Sequence, residues 1–322
     1  MSASIGPEVC SASPSNMLAT AASTLLNQHP MIMAHDAATT YLGAGLVDRW
    51  AKTQPDGGFA GLLGCGVRAF DLRPAVASGV LVMHHGSITV DHPLASALDE
   101  VVSWANANAT SAEELIVLST GDFTGDGCEA AVEQAFAARN ITYLSDCASL
   151  QGLTLAAAAQ RAVLPGGGLV LAVSMGCVSS HYQPEIACSG YTTSGVANPP
   201  TEERPPSQYT CYSDSGSKQL PLQRMWSYLA NVSAAGPPSD GTLYGHQALW
   251  QESDASVAVG ALHGSSLLSD EERSTLNALL TSRVGSGAWD VSRANLVEIN
   301  NVCDGGPALL AALRGARRVV AV

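Results

Sequence analysis

Short runs rich in Val, Ile and Leu recur along the chain between longer stretches whose apolar residues fall three and four positions apart. Continuous apolar runs suit strands that are buried on both faces beneath crossover helices, whereas the three-and-four spacing suits the helices that cover them. The strand candidates are MIMAH (31–35), GVRAFDL (66–72), VLVMH (80–84), ELIVLS (114–119), GGLVLAVS (167–174), QYTCYS (208–213), LYGHQALW (243–250) and NLVEIN (295–300). Helical spacing is found over 92–107, 128–140, 220–232, 269–284 and 306–318, and Ser269 three residues before Glu272 offers a capping box. Eight strands with interleaved helices predict an α/β fold, a (β/α)8 TIM barrel with room for distortion or incomplete closure. An open doubly wound sheet is the alternative, weakened because no G-x-G-x-x-G follows an early strand. Residues 1–30 read as an N-terminal extension or helix and 31–322 as one barrel domain. The stretch from about 177 to 216 contains five prolines and reads as a long cysteine-containing loop insertion rather than a second core.

Charge narrows the partners. The formal net charge is -13 and the only lysines are Lys52 and Lys218, so the basic surface that nucleic acid requires is missing. The same charge disfavours adsorption to anionic lipid, although a small apolar rim can still make transient contact with a neutral membrane surface. A monomer is the expected state. No run approaches eighteen apolar residues, so no membrane span is expected. Eight cysteines without a C-x-x-C pair argue for disulfides rather than a zinc site, with Cys177, Cys188 and Cys211 placed to staple the irregular stretch. Sequons at Asn108, Asn140 and Asn231 fit an extracellular or secretory-pathway protein, while the first thirty residues show no signal peptide.

Three polar groups close three successive strand candidates: His35 and Asp36, then Asp71 and Arg73, then His84 and His85. In a parallel barrel the carboxyl ends of the strands share one face, where active sites are built. Two imidazoles can serve as general base and general acid near neutral pH. An arginine can hold two phosphate oxygens in a planar fork, and a carboxylate beside a histidine fixes its tautomer. Together these groups point to phosphoryl chemistry. Strand alternation puts His84 opposite His85, and Arg68 opposite Arg73, which gives His84 a packing role and Arg68 a structural ion pair.

On AHDAATTY, GVRAFDLRP and LVMHHGS, in that order and spacing, with weaker support from ELIVLS and LVEINN, the chain resembles the bacterial phosphatidylinositol-specific phospholipase C family. That family lies within the phospholipase C-like barrel phosphodiesterases. The resemblance implies that His35 is the general base, that His85 is the general acid oriented by Asp36, and that Asp71 supports Arg73. Arg73 would stand where calcium-dependent relatives carry a metal ligand, so neither cofactor nor metal is expected. It also implies attack of a neighbouring hydroxyl on phosphorus, release of diacylglycerol and a cyclic phosphate. A last-strand carboxylate should hold the first histidine, and here the best positional match is Asn301, with Asp304 as the alternative.

The chain departs from the family at the headgroup. The fourth and fifth strand ends, LSTGD and AVSMG, carry no Lys or Arg. Ser119, Thr120, Asp122, Tyr212, Asp214, Trp250 and Gln251 are the remaining candidates for substrate contact, with Met175 as an apolar wall. Residues 122–133 also match several positions of a calcium loop but follow a strand rather than a helix, so a polar loop leading into a helix is preferred. Three functions follow as expectations: a metal-independent phospholipase C-like phosphodiesterase or lyase, a weakened barrel that binds a phosphate-bearing headgroup, and a barrel enzyme for a non-lipid phosphodiester.

Overall fold

In the computed structural model, which describes residues 23–180, 222–250 and 266–320, the strand Met31–Ala34 (β1) lies parallel to Val67–Leu72 (β2). The chain then folds back on itself as Pro74–Ala77 (β3), Val80–His85 (β4) and Ile88–Val90 (β5), a separate antiparallel sheet. It returns to parallel pairing with Ile116–Thr120 (β6), Thr142–Leu144 (β7), Val170–Ser174 (β8), Val178–Ser180 (β9), Leu243–Gln247 (β10) and Leu296–Ile299 (β11). The order in the eight-stranded sheet is β7-β8-β6-β2-β1-β11-β10-β9.

That order forces curvature. Six strand spacings separate β8 from β9, about 29 Å in a flat sheet. Yet the chain passes from Ser174 to Val178 through one short turn, Met175–Cys177, and four residues reach only about 14 Å. The sheet therefore curls into a distorted (β/α)8 barrel. Alternation sorts its side chains: Met31, Met33, Ala69, Val117, Leu171, Val173, Leu243 and Leu296 form the interior cluster. Ile32, Phe70, Leu118, Ala172 and Val297 face outward, into the cluster that the helices cover.

The helices are Asp48–Ala51 (α1), Gly58–Gly64 (α2), Leu94–Asn108 (α3), Cys128–Ala137 (α4), Leu155–Arg161 (α5), Leu222–Ala235 (α6), Leu267–Ser274 (α7), Leu276–Gly285 (α8) and Gly306–Val320 (α9), of which α5 packs on the interior cluster instead. The stretch 269–284, expected as one helix, is two, broken where Thr275 takes a left-handed φ of 54°. Its N-cap is Ser266, whose Oγ accepts from the Ser269 amide 3.2 Å away, and not Ser269 itself. Part of the expected N-terminal extension closes the lower end of the barrel: Leu26 joins the interior cluster, and Asn295 Nδ2 donates to the carbonyls of Leu26 and His29. The carboxyl ends of the strands lie at the opposite end. QYTCYS lies outside the described residues.

VLVMH is not the third barrel strand. Ser78 and Gly79, with φ of 51° and 77°, make a two-residue hairpin turn between β3 and β4. A two-residue loop can reverse a strand but cannot carry the crossover that parallel pairing needs. ELIVLS supplies the third strand instead, pairing with β2.

Disulfides join Cys65 to Cys303 and Cys147 to Cys177, while Cys128 is a buried free thiol. Cys177 thus pairs with Cys147, not within the irregular stretch; Cys188 and Cys211 lie outside the described residues. Chain-entropy arguments assign about 3–4 kcal/mol to the shorter loop and about 5 kcal/mol to the longer one. Alkylation of denatured, unreduced protein is expected to label Cys128 and to leave these four unlabelled until a reductant is added, as mass spectrometry can read; labelling at Cys65 or Cys147 before reduction would contradict both bonds.

Candidate active site

The interior phase of the strands decides which side chains converge at the open end. On β1 it runs Met31, Met33, His35; on β2, Ala69, Asp71, Arg73; on β11, Leu296, Glu298, Asn300. The apolar residues fill the barrel, and the last residue or two of each series is polar. Arg68, in the opposite phase, forms an ion pair with Glu114 at 2.5 Å and so plays no part in this end of the barrel.

Asp36 is the hub. Its Oδ2 lies 3.2 Å from His35 Nε2 and 3.2 Å from His85 Nε2, and its Oδ1 lies 2.8 Å from Arg73 Nη1. The two ring nitrogens therefore share one carboxylate oxygen, each 3.2 Å from it. Asp36 adopts a left-handed φ of 42°, a conformation that aspartate tolerates better than most residues, and its amide donates to Asp71 Oδ2 at 3.0 Å. Arg73 also donates to both oxygens of Asp71, from Nη2 at 2.8 Å and from Nε at 3.3 Å. Two of its five N–H donors are thereby used, and with Nη1 in ion-pair contact with Asp36 each Nη keeps a donor.

Both histidines are held by their Nδ1. His85 Nδ1 donates to the Ala51 carbonyl at 2.7 Å, which fixes the ring with Nε2 turned to Asp36. His35 Nδ1 lies 2.9 Å from Asn300 Oδ1. The amide's orientation follows from its other end, because Asn300 Nδ2 donates to Glu271 Oε1 at 2.7 Å and to the Trp250 carbonyl at 3.4 Å. Around His35 the backbone is pinned as well: Thr53 Oγ1 and Gln54 Nε2 both donate to its carbonyl, at 2.8 and 3.0 Å.

Burial alone would push the His35 imidazole below its ordinary value, but Asp36, Glu298 and Asp71 together outweigh it, and the net shift is upward even against Arg73. For Arg73, burial is likewise the largest influence and is overcome by Asp71 and Asp36, so the guanidinium stays charged. Glu298 is buried, and its carboxyl is raised by burial with partial relief from His35. Among the described residues, the acidic and imidazole groups close enough to share an ion are His35, Asp36 and Asp71. Arg73 already engages both carboxylates.

Asn301 is not the partner of His35. It sits one residue out of phase, with φ of 45° and its amide donating to the Thr53 carbonyl at 2.8 Å, and the adjacent Asn300 holds the ring. Asp304 is likewise absent from the cluster and caps back onto Asn301 through its amide. Trp250 is 1% exposed and packs in the outer core, so its ring does not face the site; its backbone instead contacts Glu271 and Asn300. Ser119 stands beside Asp71 in the β2–β6 register, fully buried. The Asp122 side chain is exposed, while its carbonyl accepts from His84 Nε2 at 2.8 Å. His84, held also to the Gly86 carbonyl at 2.9 Å, ties the β4–β5 hairpin to the loop after β6. Gly86, with φ of 56° and open space at its Cβ position, is a turn glycine. Tyr212, Asp214 and Gln251 lie outside the described residues.

No protein-family model matches the chain, and neither does any curated protein. Solved structures do. The phosphatidylinositol-specific phospholipase C of Listeria monocytogenes aligns over 92% of this chain and 97% of its own, with TM-score 0.59 and 12% identity. A point mutant of the Staphylococcus aureus enzyme aligns over 90% and 93%, with TM-score 0.55 and 15% identity. This chain has the fold of the bacterial phosphatidylinositol-specific phospholipases C. A further Staphylococcus aureus phospholipase C structure, described in terms of modulated membrane binding, aligns over 90% and 94% with TM-score 0.53 and 16% identity. Likeness to these phospholipases C therefore extends along nearly the whole barrel, although few residues are shared.

Proposed function

We propose that the protein is a metal-independent phospholipase C-like phosphodiesterase that cleaves by histidine acid–base catalysis. The observation that carries this reading is the convergence of His35 Nε2, His85 Nε2 and Arg73 on the single buried carboxylate of Asp36. His35 Nε2 takes the proton of a hydroxyl adjacent to the phosphodiester, and that oxygen forms a new bond to phosphorus. The bond from phosphorus to the leaving alcohol breaks, and His85 Nε2 supplies its proton. Arg73 meets the non-bridging oxygens with N–H groups left on its two Nη atoms, where negative charge accumulates. The product is a cyclic phosphate, which water can open in a second step with the two histidines exchanging roles.

A phospholipid headgroup is the proposed substrate. The phospholipase C fold supports it, as does an apolar pair beside the site: Leu46 and Val47 are 62% and 63% exposed and directly precede α1, whose last residue, Ala51, holds His85. The pair suits transient contact with a bilayer surface, and the disulfides suit an oxidising compartment outside the cell. A panel of phosphodiesters, with and without a hydroxyl next to the phosphate, tests the reading when presented both in neutral vesicles and free in solution. Turnover is expected only where the hydroxyl is present, and faster on vesicles. Equal turnover of substrates lacking the hydroxyl would overturn the mechanism, and equal rates free and in vesicles would remove the surface contact.

A further inference from the structure

Strand β11 sets an amide, Asn300, against the His35 ring, and a carboxylate stands behind that amide on a helix. Glu271, on α7, is 4% exposed, and its Oε1 accepts from Asn300 Nδ2 at 2.7 Å and from the Trp250 amide at 3.3 Å. Asn300 passes the contact on, because its Oδ1 faces His35 Nδ1 at 2.9 Å. We propose that Glu271 is a positioning residue for His35, acting through the side-chain amide of Asn300. This inference deepens the phosphodiesterase reading and rests on it for its catalytic consequence.

The amide is polarised at both ends and can turn only by losing both contacts. With Nδ2 committed to a carboxylate, Oδ1 must face the ring, so the His35 proton sits on Nδ1 and Nε2 is the nitrogen that meets substrate. A neutral glutamine at 271 would offer the same acceptor oxygen to Asn300 and to the Trp250 amide. Hydrogen bonding alone therefore gives no reason to bury a carboxylate there, which is costly without a compensating charge. His35 can be that charge. The groups facing His35 are Asp36, Glu298, Asp71 and Arg73, with His85 on the same Asp36 oxygen, and those facing Glu271 are His35 and Asp270. Burial pushes the Glu271 carboxyl up to about 7, so its ionisation falls in the range where histidine titrates. The chain thus replaces a carboxylate on the ring with an amide on the ring and a carboxylate behind it.

The test follows the His35 ring by NMR titration in the full-length protein, beside turnover across pH. Glu271→Gln is expected to lower the His35 midpoint by about one unit and turnover about tenfold. Adding Asn300→Asp to Glu271→Gln puts a charge directly on His35 Nδ1, and both quantities are expected to recover. An unmoved His35 midpoint in E271Q would overturn the proposal, as would a folded double variant that stays as low as E271Q. The unaltered protein supplies the answer if E271Q does not fold: the carboxyl carbon of Glu271 should titrate near neutrality and show the His35 step in its curve. A Glu271 midpoint near that of an ordinary glutamate, with no step from His35, would overturn it. These titrations need no substrate, so a protein that turns over no phosphodiester sinks the phosphodiesterase reading while leaving the coupling of the two groups measurable.

Discussion

His35→Ala lowers turnover of a cleavable phosphodiester by about 10²–10⁴-fold, the range that a positioned acid or base supplies. His85→Ala does the same, since the leaving alkoxide then departs without a proton. The fold should survive both changes: His35 sits at the end of β1 rather than inside the barrel, and His85 at the end of an outlying hairpin. His84→Ala should leave chemistry largely intact, because both nitrogens of that ring are spent on backbone carbonyls. The pH profile carries a sign. Because the His35 pKa is raised above 6.5, the free base forms, and activity rises, only through a midpoint above that value. By the same shift, the protonated ring stabilises the fold fully below the unfolded value of 6.5, and that contribution is lost as pH rises through the folded midpoint. An acid limb centred below 6.5, or H35A turning over like the wild type, would remove His35 as the base.

Arg73→Lys is the second large effect, expected to lower turnover about 10²-fold although charge is retained. The guanidinium reaches Asp36 and Asp71 at once and still has a donor on each Nη, a geometry that one ammonium cannot copy. Lysine is the informative replacement. Alanine would leave two buried carboxylates facing each other without a cation, a loss of about 3–5 kcal/mol that confuses folding with catalysis. Chelation by EDTA should change wild-type turnover little, since Arg73 already provides the fixed positive charge. Full activity in R73K would show that the planar fork is not used.

The barrel was legible where each strand carried an unambiguous apolar run, as in MIMAH and GVRAFDL. The misreading of VLVMH has a specific cause: a buried antiparallel strand and a parallel one look alike in composition, and only the Ser78–Gly79 turn tells them apart. His85 nonetheless reaches the site, because the hairpin leans over the end of β2, where the His84 amide donates to the Arg73 carbonyl. Asn300 was missed by one residue. Counting by twos from Leu296 through Glu298 leads to Asn300, whereas positional matching led to Asn301, and a shift of one reverses the face. Glu298 could have been found by the same count. Glu271 could not, because it comes from a helix whose approach to β11 is set by tertiary packing rather than by any local pattern. Trp250 showed the opposite limit: aromatic character at a strand end suggested a stacking surface, and burial in the outer core shows that it is packing.

The most direct test of a metal-independent, histidine-driven phosphodiesterase is phosphorus NMR of the wild-type reaction in EDTA, with a phosphodiester that carries a hydroxyl next to its phosphate. The expected result is the resonance of a five-membered cyclic phosphate growing first, at a rate unchanged by the chelator, with the acyclic monoester following later. Activity that vanishes in EDTA and returns only with calcium, or an acyclic monoester formed from the outset with no cyclic signal, would contradict the account.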